Sequence, residues 1–457
     1  MDHYVVEFSY LFASVFFIVG LKSLSHPDTA RRGMHLAEIG MLLAIIGTLL
    51  HKEIVSYQWI LVGLVVGGAI GGILAQRVAM TALPQLTALS HGFGALAATL
   101  VGIAEYARHG ASIEKPQMVA IGIEVLLGAL TTTGSVVAAA KLQELMRGSP
   151  ITFKGQNYVN LGILAVSLVA LVILVFSPGA AFAFYLMLAL ALVFGLMLVL
   201  PIAAADMPVV MSLLNAYAGL AATATGFAIN NNVLIIAGTL NGFSGFILSV
   251  LMCRAMNRSI TNVIFGAFGS AAGPASAAAT GEAREINIED AATQLAYARQ
   301  VIFVPGYGMA TAQAQHVVRE LASVLEERNV TVKYAIHPVA GRMPGHMNVL
   351  LAEADVPYSQ LYELEQINSD FPNTDVAIVI GANDVVNPDA RDNPGSPIAG
   401  MPILDVDRAR SVIVLKRGKG KGFAGIENPL FLKQNTGMLY GDAKGTLGKL
   451  ISAVVQA

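Results

Sequence analysis

Residues 301–310 read Val-Ile-Phe-Val-Pro-Gly-Tyr-Gly-Met-Ala, and this stretch decides the fold of the second half of the chain. The first four residues predict a buried strand, and the apolar stripe that follows predicts a helix over Met309–Arg328. Gly306 and Gly308 lie between them, where glycines allow a backbone to approach a pyrophosphate at a helix N-terminus. Thr311 takes the position of a third glycine, so the sequence predicts a nucleotide-binding turn with an incomplete dinucleotide fingerprint.

Short β-branched runs alternate with amphipathic helices after this turn. Further strands are predicted at Val330–Ile336, Val376–Ile380 and Val412–Leu415, and a closing helix at Asp442–Val455. Such alternation predicts an α/β Rossmann-like domain with a doubly wound parallel sheet. In sheets of this kind ligands bind beyond the carboxyl ends of the strands.

Unusual residues follow these predicted strands. The loop His337–His346 contains no acidic residue at the strand end, where NAD sites usually place one for the ribose hydroxyl. The loop Gly381–Pro388 follows the third strand, and Lys416 and Arg417 follow the fourth. A Lys-Arg pair suits a 2′-phosphate, although a solvated basic loop explains the same residues. The loops together favour NADP(H) as the ligand of this domain.

The first half of the chain is far more apolar. The whole chain is 55% hydrophobic and only 13% charged, whereas a soluble domain is about 25% charged. A membrane-spanning helix needs roughly 20 mostly apolar residues. Nine segments are candidates: 4–21, 34–50, 56–74, 84–105, 118–141, 158–176, 180–201, 208–229 and 232–253. We therefore expect a multi-span α-helical membrane domain ahead of the α/β domain.

The junction between the two halves is rich in small residues. Gly266–Gly281 contains mostly Gly, Ala and Ser together with Pro274, a composition typical of a flexible linker. We expect a transmembrane domain over 1–260, a linker over 261–285 and a nucleotide-binding domain over 286–457. The linker is either a passive tether or a hinge that transmits motion, and composition does not separate the two.

Loop charges predict the orientation in the membrane. The cationic residues that follow odd-numbered spans are Lys22, Arg31, Arg32, Arg77, Lys141, Arg147, Lys154, Arg254 and Arg258. Those that follow even-numbered spans are Lys52, Arg108 and Lys115. This asymmetry places the C-terminal domain in the cytoplasm and the N-terminus outside.

Charge and cysteine content exclude other classes of protein. The formal net charge of −2 argues against nucleic acid as a partner. The single cysteine, Cys253, excludes an internal disulfide framework. The nine histidines have no spacing typical of zinc, so no metal site is predicted.

Polar residues inside the predicted spans are candidates for function because they are expensive in lipid. His91 titrates near neutral pH and suits a proton carrier, but a packing histidine explains it equally well. Glu124 is either a functional carboxyl or one close to the membrane surface. Asn215 would be buried and needs a partner, for which the histidine is a candidate. Asp206 is best explained as a helix cap.

Long runs of this chain resemble the β subunit of proton-translocating NAD(P) transhydrogenase, over nearly the whole length. In the second half the matching segments are Pro305–Ala310, Ala312–Gln315, Ile336–Ala354, Ile380–Asp384, Ser396–Pro402, Lys416–Arg417, Asn428–Phe431 and Gly441–Lys444. In the first half they are Ala205–Val210 and Met252–Ser259. Runs this long and this widely spread are highly specific.

The resemblance implies direct hydride transfer from NADH to NADP⁺, driven by protons moving inward across a bacterial inner membrane. It also implies that this chain holds NADP(H), and that α subunits carry NAD(H) and further membrane helices, with a dimer of the αβ unit. The single fingerprint agrees with one nucleotide site on this chain. Together with the fingerprint, the resemblance gives as cofactor-binding residues Gly306, Tyr307, Gly308, Met309, Val339, Ala340, Gly341, Arg342, Met343, Pro344, Gly381, Ala382, Asn383, Asp384, Val385, Gly400, Met401, Lys416, Arg417, Gly418, Phe423, Asp442 and Ala443.

The resemblance also implies roles for particular side chains. Lys416 and Arg417 match the ligands of the 2′-phosphate. Asp384 matches a carboxylate near the nicotinamide that is suspected of linking protonation to nucleotide release. His91 and Asn215 match polar residues of the proton path. Protonation near the histidine would then shift the soluble domain between a docked and a nucleotide-exchanging state.

Two positions depart from the family pattern. The family often has Tyr at Phe423, in the loop that covers the nucleotide, and Ser at Gly418. The hydroxyl hydrogen bonds of those residues are absent here, which affects how tightly NADP(H) is held.

A rival class explains the same two-part architecture. A channel or transporter gated by a nucleotide-sensing domain would bind nucleotide without transferring hydride. A soluble dehydrogenase on a membrane anchor fits poorly, because one span would suffice for anchoring.

Overall fold

The computed structural model describes residues 2–50, 56–147, 150–203, 206–257, 259–260, 283–396, 398–418, 420, 422 and 424–457. The chain divides into two compact units. The first comprises Met1–Pro201 and Val210–Ser249, and the second comprises Ile202–Val209 and Val250–Ala457. Most of the predicted linker, residues 261–282, lies outside the described residues, so the predicted domain boundaries stay a prediction.

Long apolar helices dominate the part of the chain before residue 256. They are α1 (Asp2–Ser23), α2 (Pro27–Leu49), α3 (Gln58–Arg77), α4 (Leu83–His109), α5 (Lys115–Leu142), α6 (Gln156–Phe176), α7 (Ala181–Val199), α8 (Met207–Ala228) and α9 (Asn232–Ala255). Within the described residues, all nine are long and apolar enough to cross a membrane. The predicted multi-span architecture is confirmed.

Small residues allow the helices of the first unit to approach closely. A Cβ atom on Gly238 of α9 would lie 2.6 Å from the Thr223 nitrogen of α8. A Cβ on Gly245 would lie 2.8 Å from the Ala216 nitrogen. Backbones packed this closely gain van der Waals contact, which holds helices together where lipid offers no hydrophobic driving force. The small residues of the last two spans therefore serve packing, as their sequence indicates.

A six-stranded parallel sheet forms the centre of the second unit, with strand order β3-β2-β1-β4-β5-β6. Its strands are β1 (Gln300–Pro305), β2 (Thr331–Ile336), β3 (Leu361–Glu363), β4 (Val376–Ile380), β5 (Ser411–Lys416) and β6 (Thr436–Tyr440). The helices are α10 (Ile288–Ala296), α11 (Tyr307–Thr311), α12 (Gln315–Glu327), α13 (His346–Glu353), α14 (Leu364–Ile367), α15 (Asp389–Asp392) and α16 (Ala443–Gln456). The predicted α/β fold is confirmed.

Apolar side chains cover both faces of this sheet. Phe303 and Tyr334 belong to one buried cluster, and Ile302 and Val379 belong to the other. Alternate residues of a strand point to opposite faces, so a strand buried on both sides reads as a continuous apolar run. This is why the strands at the centre of the sheet could be recognised in the sequence.

Local details differ from the sequence prediction in two respects. The single helix predicted over Met309–Arg328 is wrong, because the chain forms α11 and α12 with a break at Gln313, whose φ is +48°. Strands β3 and β6 were not predicted. Strand β3 has only 3 residues, and β6 contains Gly437, which weakens the strand signal.

Candidate functional site

The glycine-rich turn after β1 packs directly on the turn after β4. Gly306 N–H donates to the Ile380 carbonyl and Gly308 N–H to the Gly381 carbonyl, each at 2.9 Å. A Cβ on Gly308 would lie 2.6 Å from the Gly381 Cα, so only glycine fits there. Strands β1 and β4 are the neighbours at which the strand order reverses. The crevice at such a switch point is where doubly wound sheets bind ligands.

The loop after β2 adds a cation above an aromatic ring at this edge. The guanidinium carbon of Arg342 lies 4.3 Å from the centre of the Tyr307 ring. Arg342 N–H donates to His346 Nδ1 at 3.0 Å. His337, at the end of β2, is buried and bonded to two loops. The sequence prediction included Tyr307 and Arg342 but gave no role to either histidine.

The connection after β4 places a carboxylate beside the loop that follows β5. Asp384 Oδ2 accepts a hydrogen bond from Ala424 N–H at 2.9 Å. Asn428 Nδ2 donates to both the carbonyl and the side-chain oxygen of Asn383, at 3.0 Å each. Asn383 and Asp384, which follow β4, are thus both hydrogen-bonded to the loop that follows β5.

The two basic residues at the end of β5 differ in their exposure to solvent. Lys416 is half-buried, with its Nζ 4.5 Å from the centre of the Phe431 ring, whereas Arg417 is exposed. Burial lowers the pKa of Lys416, and the Asp384 carboxylate acts in the opposite direction. Phe423 lies outside the described residues. A Cβ on Gly418 would meet no atom within 4 Å among the described residues, so the family's serine would fit there.

The remaining predicted cofactor residues occupy the same edge of the sheet. Asp442 caps α16 by accepting from Gly445 N–H at 3.1 Å, which places Ala443 in the first turn of that helix. Gly400 has a φ of +76° and precedes Met401 in the return from α15 towards β5. The residues of this set that the structure describes therefore lie in loops or first helical turns at the carboxyl ends of β1, β2, β4, β5 and β6. Their contacts with a nucleotide stay a prediction.

The polar candidates of the first unit lie on different helices. His91 is on α4, and its Nδ1 is buried without a hydrogen-bond partner among the described residues. Asn215 on α8 is half-buried, not fully buried as expected, and accepts from Asn241 Nδ2 of α9 at 3.1 Å. The partner described for it is therefore an asparagine, whereas the sequence suggested the histidine. Glu124 on α5 is fully buried and accepts from Thr225 Oγ1 at 2.7 Å. Roles in proton movement stay predictions for all of these.

Comparison with known proteins identifies the family of this two-part chain. The family model described as NAD(P) transhydrogenase beta subunit matches residues 6–453. The chain belongs to this family. Two curated relatives from Rhodospirillum rubrum, one of them from a named strain, are described as NAD(P) transhydrogenase subunit beta. Each is 48% identical over 467 residues, covering 100% of this chain and 100% of the relative.

Membership of the transhydrogenase β-subunit family settles the general class. The chain is an oxidoreductase subunit that handles nicotinamide nucleotides, and its partners are an α subunit and the membrane. The many apolar helices fit a multi-pass membrane protein. The rival interpretation, a channel gated by a nucleotide sensor without redox turnover, is disfavoured because the family is an enzyme family.

Proposed function

We propose that this chain binds NADP(H) at the carboxyl edge of its sheet, and that the α subunit supplies NAD(H) for direct hydride transfer from NADH to NADP⁺. The observation that carries the assignment of NADP(H) is the position of Lys416. Its ammonium group lies at the end of β5 and is half-buried, and the loop His337–His346 after β2 contains no acidic residue for a ribose hydroxyl. A cation there suits a 2′-phosphate, which NAD(H) lacks.

The described residues fit a dinucleotide. Gly306 and Gly308 let the turns after β1 and β4 pack together, which forms the crevice at the switch point where doubly wound sheets bind ligands. Lys416 and Arg417 provide cationic donors, of which arginine can bind phosphate bidentately. When bound, the nicotinamide exchanges a hydride, so the protein needs no nucleophile or acid–base group for that step. The chain binds the nucleotide, orients it and controls its release.

Control of release is the step at which proton movement can act. The Asp384 carboxylate holds the loop after β5 through Ala424 N–H, and its protonation would weaken that bond. We infer that His91 and Asn215 belong to the proton path in the membrane domain, over residues 1–260, and that the linker over 261–285 joins it to the nucleotide domain, over 286–457. Protonation in the membrane domain then shifts the nucleotide domain between docked and exchanging states.

The remaining assignments follow from charge and family. Cationic loops after odd-numbered spans support a cytoplasmic nucleotide domain in a bacterial inner membrane, with protons moving inward. The family resemblance supports a dimer of αβ units.

The test uses the purified complex of this chain with its α subunit. NADH should reduce an NADP⁺ analogue, and Lys416→Gln should raise KM for the analogue roughly tenfold or more, as expected for a lost charge-assisted hydrogen bond. Lys449→Gln is the matched control, since Lys449 is exposed on α16, away from the strand ends. Binding of the analogue without hydride transfer would overturn the proposed reaction. An unchanged KM in Lys416→Gln would overturn the NADP(H) site.

A further inference from the structure

His337 is bonded at both ring nitrogens to loops that belong to different parts of the sheet. It directly follows β2 and has a side chain only 1% exposed. Its Nδ1 accepts from Val339 N–H at 3.2 Å, and its Nε2 lies 2.8 Å from the Pro402 carbonyl oxygen. Pro402 lies 65 residues after His337 in the sequence, so this hydrogen bond joins two distant segments of the chain.

The chemistry of these partners fixes one form of the ring. A backbone N–H can only donate and a carbonyl oxygen can only accept. Nδ1 must therefore be unprotonated and Nε2 must carry the hydrogen, which is one neutral tautomer. Burial agrees with this assignment, because it lowers the pKa of His337 to about 4. The ring is thus a neutral bridge with a hydrogen bond at each nitrogen.

The bridge joins the two loops that approach the nucleotide site from either side of β1. Val339 begins the loop that carries Arg342, and Pro402 follows Met401 in the return from α15. The segment that contains Pro402 also contacts the start of the β4–β5 connection, because Leu404 N–H donates to the Val385 carbonyl at 2.9 Å. A shift at Pro402 is therefore transmitted to the segment that begins at Asp384.

Other contacts hold only one of these loops. Asn368, at the end of α14, donates to the Ile403 carbonyl at 2.9 Å and accepts from Asp405 N–H at 3.1 Å. His346 accepts from Arg342 N–H within its own loop. The two hydrogen bonds of His337 link both loops.

We propose that His337 is a positioning residue that sets the spacing between the loop after β2 and the return before β5, and thereby the rate at which NADP(H) leaves. This rests on the proposed NADP(H) site. His337 would act without touching the atoms between which hydride is transferred. The proposed role predicts that its bond to Pro402, and not its bond to Val339, controls release of NADP(H).

Two amide substitutions separate the two bonds. His337→Asn keeps an acceptor that can reach the N–H two residues on, in an Asx turn, but it is too short to reach Pro402. His337→Gln places its amide N–H near the position of Nε2 and retains donation to Pro402. The full complex with the α subunit is used for both, with stopped-flow release of NADPH and KM values for NADP⁺ and NADH as readouts.

We expect His337→Asn to release NADPH roughly tenfold faster and to raise KM for NADP⁺ by a similar factor, the effect of losing one buried hydrogen bond. His337→Gln should stay within about twofold of wild type, and KM for NADH should not change in either variant. Equal behaviour of the two variants, or a parallel rise in KM for NADH, would overturn the proposal. Failure of the proposed function looks different, since wild type itself would then bind no NADPH.

A measurement on wild type covers the case in which His337→Asn does not assemble. Hydrogen exchange should show peptides over 338–344 and 399–404 gaining protection together at the same NADP⁺ concentration. Protection of one segment at a concentration that leaves the other unchanged would contradict a shared bridge.

Discussion

The Asp384 carboxylate accepts a hydrogen bond from the backbone N–H of Ala424, with Oδ2 and N separated by 2.9 Å. The contact joins the start of the β4–β5 connection to the loop that follows β5. Lys416, the cation at the base of that loop, interacts electrostatically with the same carboxylate. One ionisable group therefore acts on both the loop backbone and the residue that we assign to the 2′-phosphate.

Substitution of this carboxylate tests its hold on the loop. Asp384→Asn retains an acceptor for Ala424 N–H but loses the charge, and hydrogen bonds to charged acceptors are about twice as strong as neutral ones. We expect NADPH release from the full complex to become several-fold faster and nearly independent of pH, as measured by stopped flow. Release that is slower than in wild type, or that keeps the wild-type pH profile, would show that the carboxylate does not control the loop.

The contact between the turns after β1 and β4 predicts a strong effect of a single methyl group. Gly308→Ala would place Cβ 2.6 Å from the Gly381 Cα, and relieving such overpacking costs about 1–3 kcal/mol. A lower melting temperature of the nucleotide domain and weaker NADP⁺ binding are expected. Gly448→Ala, on α16 and outside the predicted cofactor residues, is the matched control, because a Cβ there meets no atom within 4 Å among the described residues. Equal melting temperatures for the two variants would refute the packing argument.

Two buried histidines predict how the nucleotide domain responds to acid. Burial lowers the pKa of His337 and of His346 from 6.5 to about 4. The unfolded chain therefore binds protons at a higher pH than the folded domain does. The stability contributed by each neutral ring is complete above about pH 6.5 and is lost as pH falls towards about 4, on the order of 3 kcal/mol per ring.

His346→Asn isolates one of these rings. The asparagine can accept from Arg342 N–H in place of Nδ1 but does not titrate. Denaturant unfolding at pH 7.5, 6 and 5 should therefore show a shallower loss of stability with acid than wild type shows. The same slope in both proteins would mean that the imidazole is not kept neutral by the fold.

The pair Asn215 and Asn241 predicts an effect confined to the membrane domain. Asn241→Leu removes the donor to Asn215 Oδ1, so the half-buried Asn215 amide loses a hydrogen bond of about 0.5–1.5 kcal/mol. We expect weaker proton coupling and unchanged NADP⁺ binding, measured as gradient-driven transhydrogenation and as nucleotide titration. Ser244→Ala is the control, since the hydrogen bond of Ser244 among the described residues runs back to the Asn241 carbonyl of its own helix. Equal coupling in the two variants would show that the hydrogen bond between Asn241 and Asn215 does not support proton coupling.

The sequence predicted those features that depend on local pattern. The apolar run of Val301–Val304 and the glycines after it predicted β1 and its turn, because a strand buried on both faces has no polar residues. The break at Gln313 was missed, since a positive φ in a non-glycine residue has no clear sequence signature. Strand β3, at the edge of the sheet, is too short for periodicity to show.

The parts of the site that sequence did not reveal depend on contacts between distant residues. The bridge from His337 to Pro402 and the bond from Asp384 to Ala424 join residues that only the folded sheet brings together. Two histidines flanking the loop after β2 were the available signal. Their typical explanation, as core residues with satisfied hydrogen bonds, gave no indication of which loops they would join.

We propose that proton movement through this chain drives hydride transfer at its NADP(H) site. The most direct measurement reconstitutes the αβ complex in sealed vesicles and follows reduction of an NADP⁺ analogue by NADH while a pH gradient is imposed. We predict faster reduction when the gradient drives protons towards the nucleotide-domain side, and no response in His91→Gln. An unchanged wild-type rate under the gradient, or equal acceleration in His91→Gln, would contradict the account.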